Sequence, residues 1–251
     1  MARFFVDGLP SEGSEYRLTG ENAEHAKVLR LRPGESVTLC DGAGMDCFCE
    51  VAEGLTLKVG PSLPCPAEPG ARVAVYLAFP KADKAEHVIQ KAVELGAAEV
   101  VLFPSRYCVS RPDAKSLGKK LDRWQKIARS AAKQSRRGVI PPVRALDSYA
   151  KALAEAAKAE APILFYENEE RLSLHEALAG IEDGGLRSGR PTAQGTQVSI
   201  MTGSEGGFSE EEIAQARDAG LKICTLGPRI LRCETAPLAG LTAVMYALGE
   251  L

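Results

Sequence analysis

The sequence predicts an α/β protein, with a small β-rich N-terminal part and a larger C-terminal part built on a parallel sheet. Three observations predict it. Residues 1 to about 60 carry short strand patterns broken by turns. A proline-rich stretch follows. From Ala71 onward, apolar strand-like runs alternate with helical ones, as in a parallel sheet with crossover helices.

In the first part, strands are expected at Arg3 to Val6, Glu15 to Leu18, Ser36 to Cys40, Met45 to Val51 and Leu55 to Val59, with one short helix over Asn22 to Leu31. Together they read as a small β-barrel. Pro61 to Gly70 holds four prolines and reads as an extended, fairly stiff linker. Two domains are therefore expected, 1–70 and 71–251.

In the second part, Arg72 to Phe79 is an apolar strand, and Ala82 to Leu95 is a helix stopped by Gly96. Glu99 to Pro104 is the next strand. Leu117 to Ser135 is a helix with Leu121, Trp124, Ala128 and Ala131 on one apolar stripe. Ser148 to Glu160 is an alanine-rich helix, and Ile163 to Tyr166 a third strand. Gly180 to Gly195 is expected to be a mobile surface loop. The strand at Gln197 to Met201 leads into Thr202-Gly203-Ser204-Glu205-Gly206-Gly207-Phe208-Ser209. Ser209 with Glu212 forms a capping box that starts a helix. The strand at Lys222 to Leu226 leads into Gly227-Pro228-Arg229-Ile230-Leu231-Arg232-Cys233-Glu234-Thr235, and a long apolar helix runs from Ala236 to Leu248. Thr235 is expected to cap that helix.

No apolar run approaches the ~20 residues that span a bilayer. Arg3 and Asp7 interrupt any signal-peptide core, so the cytoplasm is expected. The seven cysteines are odd in number and irregularly spaced, which argues against a disulfide framework. Cys47 and Cys49 suit one face of a strand, and no second pair completes a zinc site, so no metal is expected. The net charge of -2 argues against a nucleic-acid binder, but its distribution does not. From Arg106 to Arg144 there are twelve basic residues and only Asp113 and Asp122 as acids. Such a patch suits phosphates, because ordinary solvated helices interleave both signs.

The two glycine-containing turns each join a strand to a helix, where backbone N–H and C=O groups can line a ligand pocket. Neither is a P-loop or a dinucleotide fingerprint. They resemble the cofactor site of the SPOUT methyltransferases, and more narrowly that of the 16S ribosomal RNA uracil-N3 methyltransferases (the RsmE family). That family carries G-P-E-G-G-F-S followed by L-G-x-R-I-L-R-x-E-T-A. The second motif matches throughout; in the first, Ser204 stands where the family usually has Pro. The likeness continues upstream, in order, through Phe4-Phe5-Val6, His25 to Arg30, Asp41 to Gly44, Lys81, Lys84, Gln90-Lys91, Glu94 to Gly96, Trp124, Gln134-Ser135, Arg137 and Pro141.

The resemblance implies a PUA-like RNA-binding barrel, a SPOUT sheet with a trefoil knot, and a homodimer acting on 16S ribosomal RNA or the 30S subunit. Its cofactor would be S-adenosylmethionine. Cofactor-binding candidates are Thr202, Gly203, Glu205, Gly206, Gly207, Leu226, Gly227, Ile230 and Leu231, although a plain tight turn also explains Gly206 and Gly207. Uracil N3 must lose a proton, and a cation stabilises the charge that develops on the ring. Arg232 is the catalytic candidate for that, with Glu234 orienting it or accepting the proton; an ordinary ion pair between them is the alternative. RNA-binding candidates are Arg3, Lys27, Arg30, Lys84, Lys91, Arg136 and Arg137. The stripe Leu238, Leu241, Val244, Met245 and Leu248 suits either a dimer interface or a core. Methylation of another base or of a ribose 2′-hydroxyl, or a non-catalytic role in ribosome assembly, would share much of this pattern.

Overall fold

A computed structural model describes residues 1–81, 83–185 and 195–251. Packing divides the chain into one unit of Met1–Glu68 with Ala132–Ile140, and a second of Pro69–Ala131 with Pro141–Leu251.

The first unit contains β1 (Ala2–Phe5), β2 (Glu15–Arg17), α1 (Gly20–Val28), β3 (Ser36–Cys40), β4 (Met45–Val51) and β5 (Thr56–Pro64). The strands form one sheet in the order β1-β3-β4-β5-β2. The β1/β3 pair is parallel and the others antiparallel. Alternate residues point inward, so Phe4, Val37, Leu39, Cys47, Val51 and Leu57 make the core, with Ala26 of α1 packed on it. Cys47 and Cys49, two apart on β4, both point inward with their thiols 3.7 Å apart, and the pairing with β5 shifts register between them. All seven cysteines are free.

The expected linker starts too early. Residues 61–64 continue β5 and pair with β4, Asp46 opposite Leu63 and Met45 opposite Pro64. On the other side β2 reaches only Thr56 to Lys58. That leaves an open edge, where a proline without an N–H is tolerated.

The second unit contains β6 (Arg72–Ala78), α2 (Lys84–Glu94), β7 (Glu99–Phe103), most of α3 (Ala114–Gln134), β8 (Val143–Ala145), α4 (Tyr149–Ala156), β9 (Ala161–Phe165), α5 (Leu174–Gly185), β10 (Gln197–Thr202), α6 (Glu210–Asp218), β11 (Lys222–Cys224) and α7 (Ala236–Ala247). Its sheet is parallel throughout, in the order β11-β9-β10-β6-β7-β8. Val73, Val75 and Leu77 on β6, and Ile200 and Met201 on β10, are buried, as expected for strands covered on both faces. On α3, Trp124, Ala128 and Ala131 are buried while Lys115, Lys119, Arg123 and Lys126 stay exposed.

Two elements were not expected. β8 is three residues long, and α5 runs to Gly185, through the first part of the expected loop. The rest of that loop, residues 186–194, lies outside the described residues. On α7, Leu241, Val244 and Met245 are buried in the chain's own core, so that face is core. Gly240, also on α7, lies against the Phe165 ring; a Cβ there would come within 2.6 Å of its Cζ. No described helix is long and apolar enough to cross a membrane.

Candidate functional site

The carboxyl ends of β9, β10 and β11 open into one cavity of about 780 Å³. Three segments and Lys84 line it: the segments are the end of β9 with the residues after it as far as Glu170, the turn after β10, and the long turn between β11 and α7. Ligands of open α/β sheets bind at this edge, because the turns there present unpaired backbone groups. Thr202, Gly203, Glu205, Gly207, Leu226, Gly227, Ile230, Leu231 and Arg232 all line the cavity.

The first turn is held firmly. Ser209 Oγ accepts from the Glu212 N–H at 3.3 Å, and Glu212 Oε2 accepts from the Ser209 N–H at 2.9 Å, completing the capping box. Glu212 Oε1 also accepts from the Arg106 N–H. Phe208 is buried beside Phe103 and Tyr149. Gly206 does not line the cavity: it lies against Tyr107, where a Cβ would sit 2.6 Å from the Tyr107 Cβ. Gly203 likewise packs on the Gly207 backbone. At these two glycines the protein itself fills the space that a side chain would take. Gly227 differs. Its φ is +103°, a conformation that favours glycine, and nothing lies within 4 Å of where a Cβ would be. The Thr202 hydroxyl donates to the Tyr76 carbonyl on β6 at 3.4 Å.

The second turn ends at α7. Thr235 holds the cap position but has helical dihedrals, and its hydroxyl makes no capping bond. Pro237, in the first turn of α7, has no N–H to satisfy there.

Lys84, at the start of α2, lies in the cavity wall, not on an open phosphate-binding surface as expected. Its Nζ is 3.0 Å from Glu205 Oε1 and 3.0 Å from Glu234 Oε2. The hydrogen bonds that Lys84 donates to both carboxylates raise its pKa above the ordinary value. Burial pushes the Glu234 carboxyl up, but hydrogen bonds from its own backbone, Lys84 and Cys233 outweigh that and hold it below the ordinary range. Glu205 is lowered in the same way, with the Lys81 N–H adding to Lys84. Cys233 packs beside both Lys84 and Glu234, and burial pushes its thiol up to about 12. Glu234 is thus committed to Lys84, not to Arg232. The Arg232 guanidinium is exposed and has no partner among the described residues.

Two of the expected RNA contacts are interior ion pairs. Arg3 makes a two-pronged pair with Asp46, at 2.6 and 2.7 Å, and Asp46 is 1% exposed. Burial opposes the Arg3 charge, and Asp46 more than restores it. Arg137, 4% exposed, pairs with Glu68 at 2.9 Å, and Glu68 also accepts from the Val139 N–H. Lys27, Arg30 and Arg136 are exposed, Lys27 beside Glu24. Lys91 is partly exposed and paired with Glu94 at 2.8 Å.

The reading from sequence did not anticipate Phe165, Tyr166, Glu167, Glu169 and Glu170 in the cavity. The strand was visible; that β9 lies between β10 and β11 was not. Glu169 is buried, hydrogen-bonded by the Arg171 N–H and paired with Arg217, which lowers its pKa and keeps it charged. The lining carries Glu167, Glu169, Glu170 and Glu205 against Lys84, Arg229 and Arg232, with Glu234 just behind Lys84. Lys84 answers Glu205, Arg217 answers Glu169, and Arg229 and Arg232 match Glu167 and Glu170 in number, so the lining is of mixed charge.

The RNA methyltransferase domain family matches residues 67–245, and the RNA methyltransferase PUA domain family matches residues 18–59. The chain belongs to the RNA methyltransferase family. Its curated relatives include ribosomal RNA small subunit methyltransferase E of Bacillus subtilis, 32% identical over 98% of this chain and 96% of that one. The Mycobacterium tuberculosis protein of the same name is 34% identical over 96% and 90%. A crystal structure of the Neisseria gonorrhoeae methyltransferase of that name, bound to S-adenosylmethionine, matches with a TM-score of 0.78 at 30% identity, covering 98% of this chain and 97% of that one. As a member of the family, the chain is an RNA methyltransferase. The PUA match falls within the first unit, and the methyltransferase match contains the whole cavity.

Proposed function

We propose that this RNA methyltransferase transfers a methyl group from S-adenosylmethionine to N3 of a specific uridine in 16S ribosomal RNA, as a cytoplasmic homodimer. The observation that carries the reading is the cavity itself. It is built from the two turns whose sequences resemble those of the uracil-N3 enzymes, in a chain with a cofactor-bound relative at 30% identity.

The residues present fit the cofactor. The lining includes carboxylates, Glu167 and Glu170 among them, to set against its cationic sulfonium and amino groups, and cationic Arg229 and Arg232 to set against its carboxylate. When bound, the cofactor supplies an electrophilic methyl group. The protein aligns the two reactants and excludes water. The backbone of Gly203, Leu226, Ile230 and Leu231 holds the nucleoside end. Arg232 stabilises the negative charge that grows on the uracil ring as N3 loses its proton. Glu234, which burial pushes up but hydrogen bonds from its own backbone and Lys84 hold below the ordinary carboxylate range, acts as a positioning residue. Lys27, Arg30, Arg136 and, more weakly, Lys91 take RNA phosphates, which orient the substrate without reading its sequence.

The test is to incubate the purified protein with methyl-labelled S-adenosylmethionine and 30S subunits from a strain lacking this activity, then to identify the labelled nucleoside. Label in 3-methyluridine is expected. Label in any other nucleoside would overturn the N3 assignment.

A further inference from the structure

α3 carries an exposed basic face that takes no part in the cavity. At about 100° per residue, Lys115, Lys119 and Lys126 fall within about 40° of one another around the helix axis. They stand opposite Trp124 and Ala131, which are buried. Lysines on the other helices are matched by an acid three or four residues away: Lys27 holds Glu24, Lys91 holds Glu94 and Lys151 holds Asp147. No acid pairs with Lys115, Lys119 or Lys126 among the described residues. The Asp113 carboxylate, just ahead of α3, accepts from the Lys115 and Ser116 N–H groups. Asp122 is the one acid of α3 and falls on the same stripe, yet it pairs with neither Lys119 nor Lys126. Like charges one turn apart destabilise a helix, so an anionic partner offsets a cost that the fold leaves standing. Arg123, at the edge of the stripe, pairs with Glu86 of α2 at 2.7 Å, and Lys84, two residues back on α2, lines the cavity. The face and the cavity thus belong to the same unit and are linked through α2.

We propose that this face of α3 binds the phosphate backbone of the RNA substrate, as a phosphate-binding surface of the methyltransferase unit itself. The inference rests on the family's action on RNA, and not on which nucleoside is methylated. Lysine presents a compact point charge, which suits phosphate. From Lys115 to Lys126 the stripe runs about 16 Å along the helix, enough to meet several successive phosphates of one strand. Such contacts orient the RNA without reading its sequence.

The experiment is filter binding of the full-length protein to a transcript of 16S ribosomal RNA and to 30S subunits, each across a series of salt concentrations. The variants are the triple Lys115→Gln, Lys119→Gln, Lys126→Gln, the single Asp122→Asn, and a control, Lys151→Gln with Lys158→Gln, on and just beyond α4. Gln keeps the helix propensity of Lys, and thermal unfolding checks each fold. The triple variant is expected to melt like the wild type and to bind the transcript on the order of 10²-fold more weakly at about 0.1 M salt. Its slope of log affinity against log salt should fall by about 2–3. Asp122→Asn should bind severalfold more tightly, and a variant that gained nothing would count against the face. A triple variant with the wild-type slope would overturn the proposal and leave an ordinary solvated helix. An equal fall in the control would also overturn it, because total charge rather than position would then decide binding. Weakened binding to the subunit alone would overturn it in favour of an acidic protein of the subunit as the partner. The N3 assignment stands or falls separately, on the identity of the labelled nucleoside.

Discussion

Lys84 Nζ lies 3.0 Å from Glu234 Oε2, and so joins the start of α2 to the turn that precedes α7. The same ammonium holds Glu205 of the other turn. One side chain therefore ties together both turns that line the cavity. Replacing it with a neutral chain of similar length leaves two carboxylates without their shared cation and frees the turns from each other. Lys84→Met should weaken S-adenosylmethionine binding about tenfold in a calorimetric titration, while Lys84→Arg retains most of it. A variant that binds like the wild type would show that the turns are fixed by other contacts.

The same cluster sets a pH window. Glu205 and Glu234 are held below the ordinary 4.5, so their contribution to stability is complete above that value and is lost as pH falls through the lowered ones. Lys84 is raised above the ordinary 10.5, so its contribution is complete below that value and is lost only as pH climbs through the raised one. The difference in melting temperature between wild type and Lys84→Met should be level from about pH 5 to 10 and shrink on the acid side. A difference that varied across neutral pH would implicate another titrating group.

Adjacent arginines give a sharper contrast. Arg136 is exposed with a φ of 64°; Arg137 is buried against Glu68. Removing one partner of a buried pair strands the other, at a cost of roughly 3 kcal/mol. Arg137→Ala should lower the free energy of unfolding by about that much in urea. Arg136→Ala should leave stability unchanged, weaken RNA binding, and reduce the slope of log affinity against log salt by about 0.7–0.9. If both variants behaved alike, the assignment of Arg136 to phosphate contact would be wrong.

What was legible in the sequence was local. The Ser209–Glu212 capping box spans three residues and needs no knowledge of the fold. The apolar stripe through Trp124 and Ala128 repeats at helical spacing, and both are buried. Ion-pair partners were not legible, because the chain separates them: 43 residues for Arg3 and Asp46, and 69 for Arg137 and Glu68. Counted as a basic residue, Arg137 looks like Arg136; only the tertiary fold distinguishes them. Strand order is equally silent, so the residues after β9 entered the cavity unannounced. β8 is too short, behind two prolines, to show a period.

Arg232, like Arg229, is a cation of the cavity wall that is exposed and has no partner among the described residues, and it lies two residues from Glu234. Arg232→Ala should lower kcat on the order of 10²-fold, the scale of losing one group that stabilises developing charge. Cofactor affinity should stay within about twofold, because the adenosine contacts proposed here are backbone groups. A loss seen in cofactor affinity rather than in kcat would move Arg232 from the chemistry to cofactor binding.

The helix behind the cavity offers a last test. Gly240 costs α7 about 1 kcal/mol relative to alanine on propensity alone, so an exposed glycine replaced by alanine would stabilise the helix. Here the missing side chain makes room for the Phe165 ring, whose residue also lines the cavity. An added methyl must push that ring toward the ligand or force the helix off the sheet, at roughly 1–3 kcal/mol. Gly240→Ala should therefore lower the melting temperature despite its better propensity, and weaken S-adenosylmethionine binding in the same protein. Phe165→Leu combined with it removes ring atoms at the contact and should recover part of both losses. Recovery of stability without recovery of affinity would mean that the ring itself contacts the cofactor.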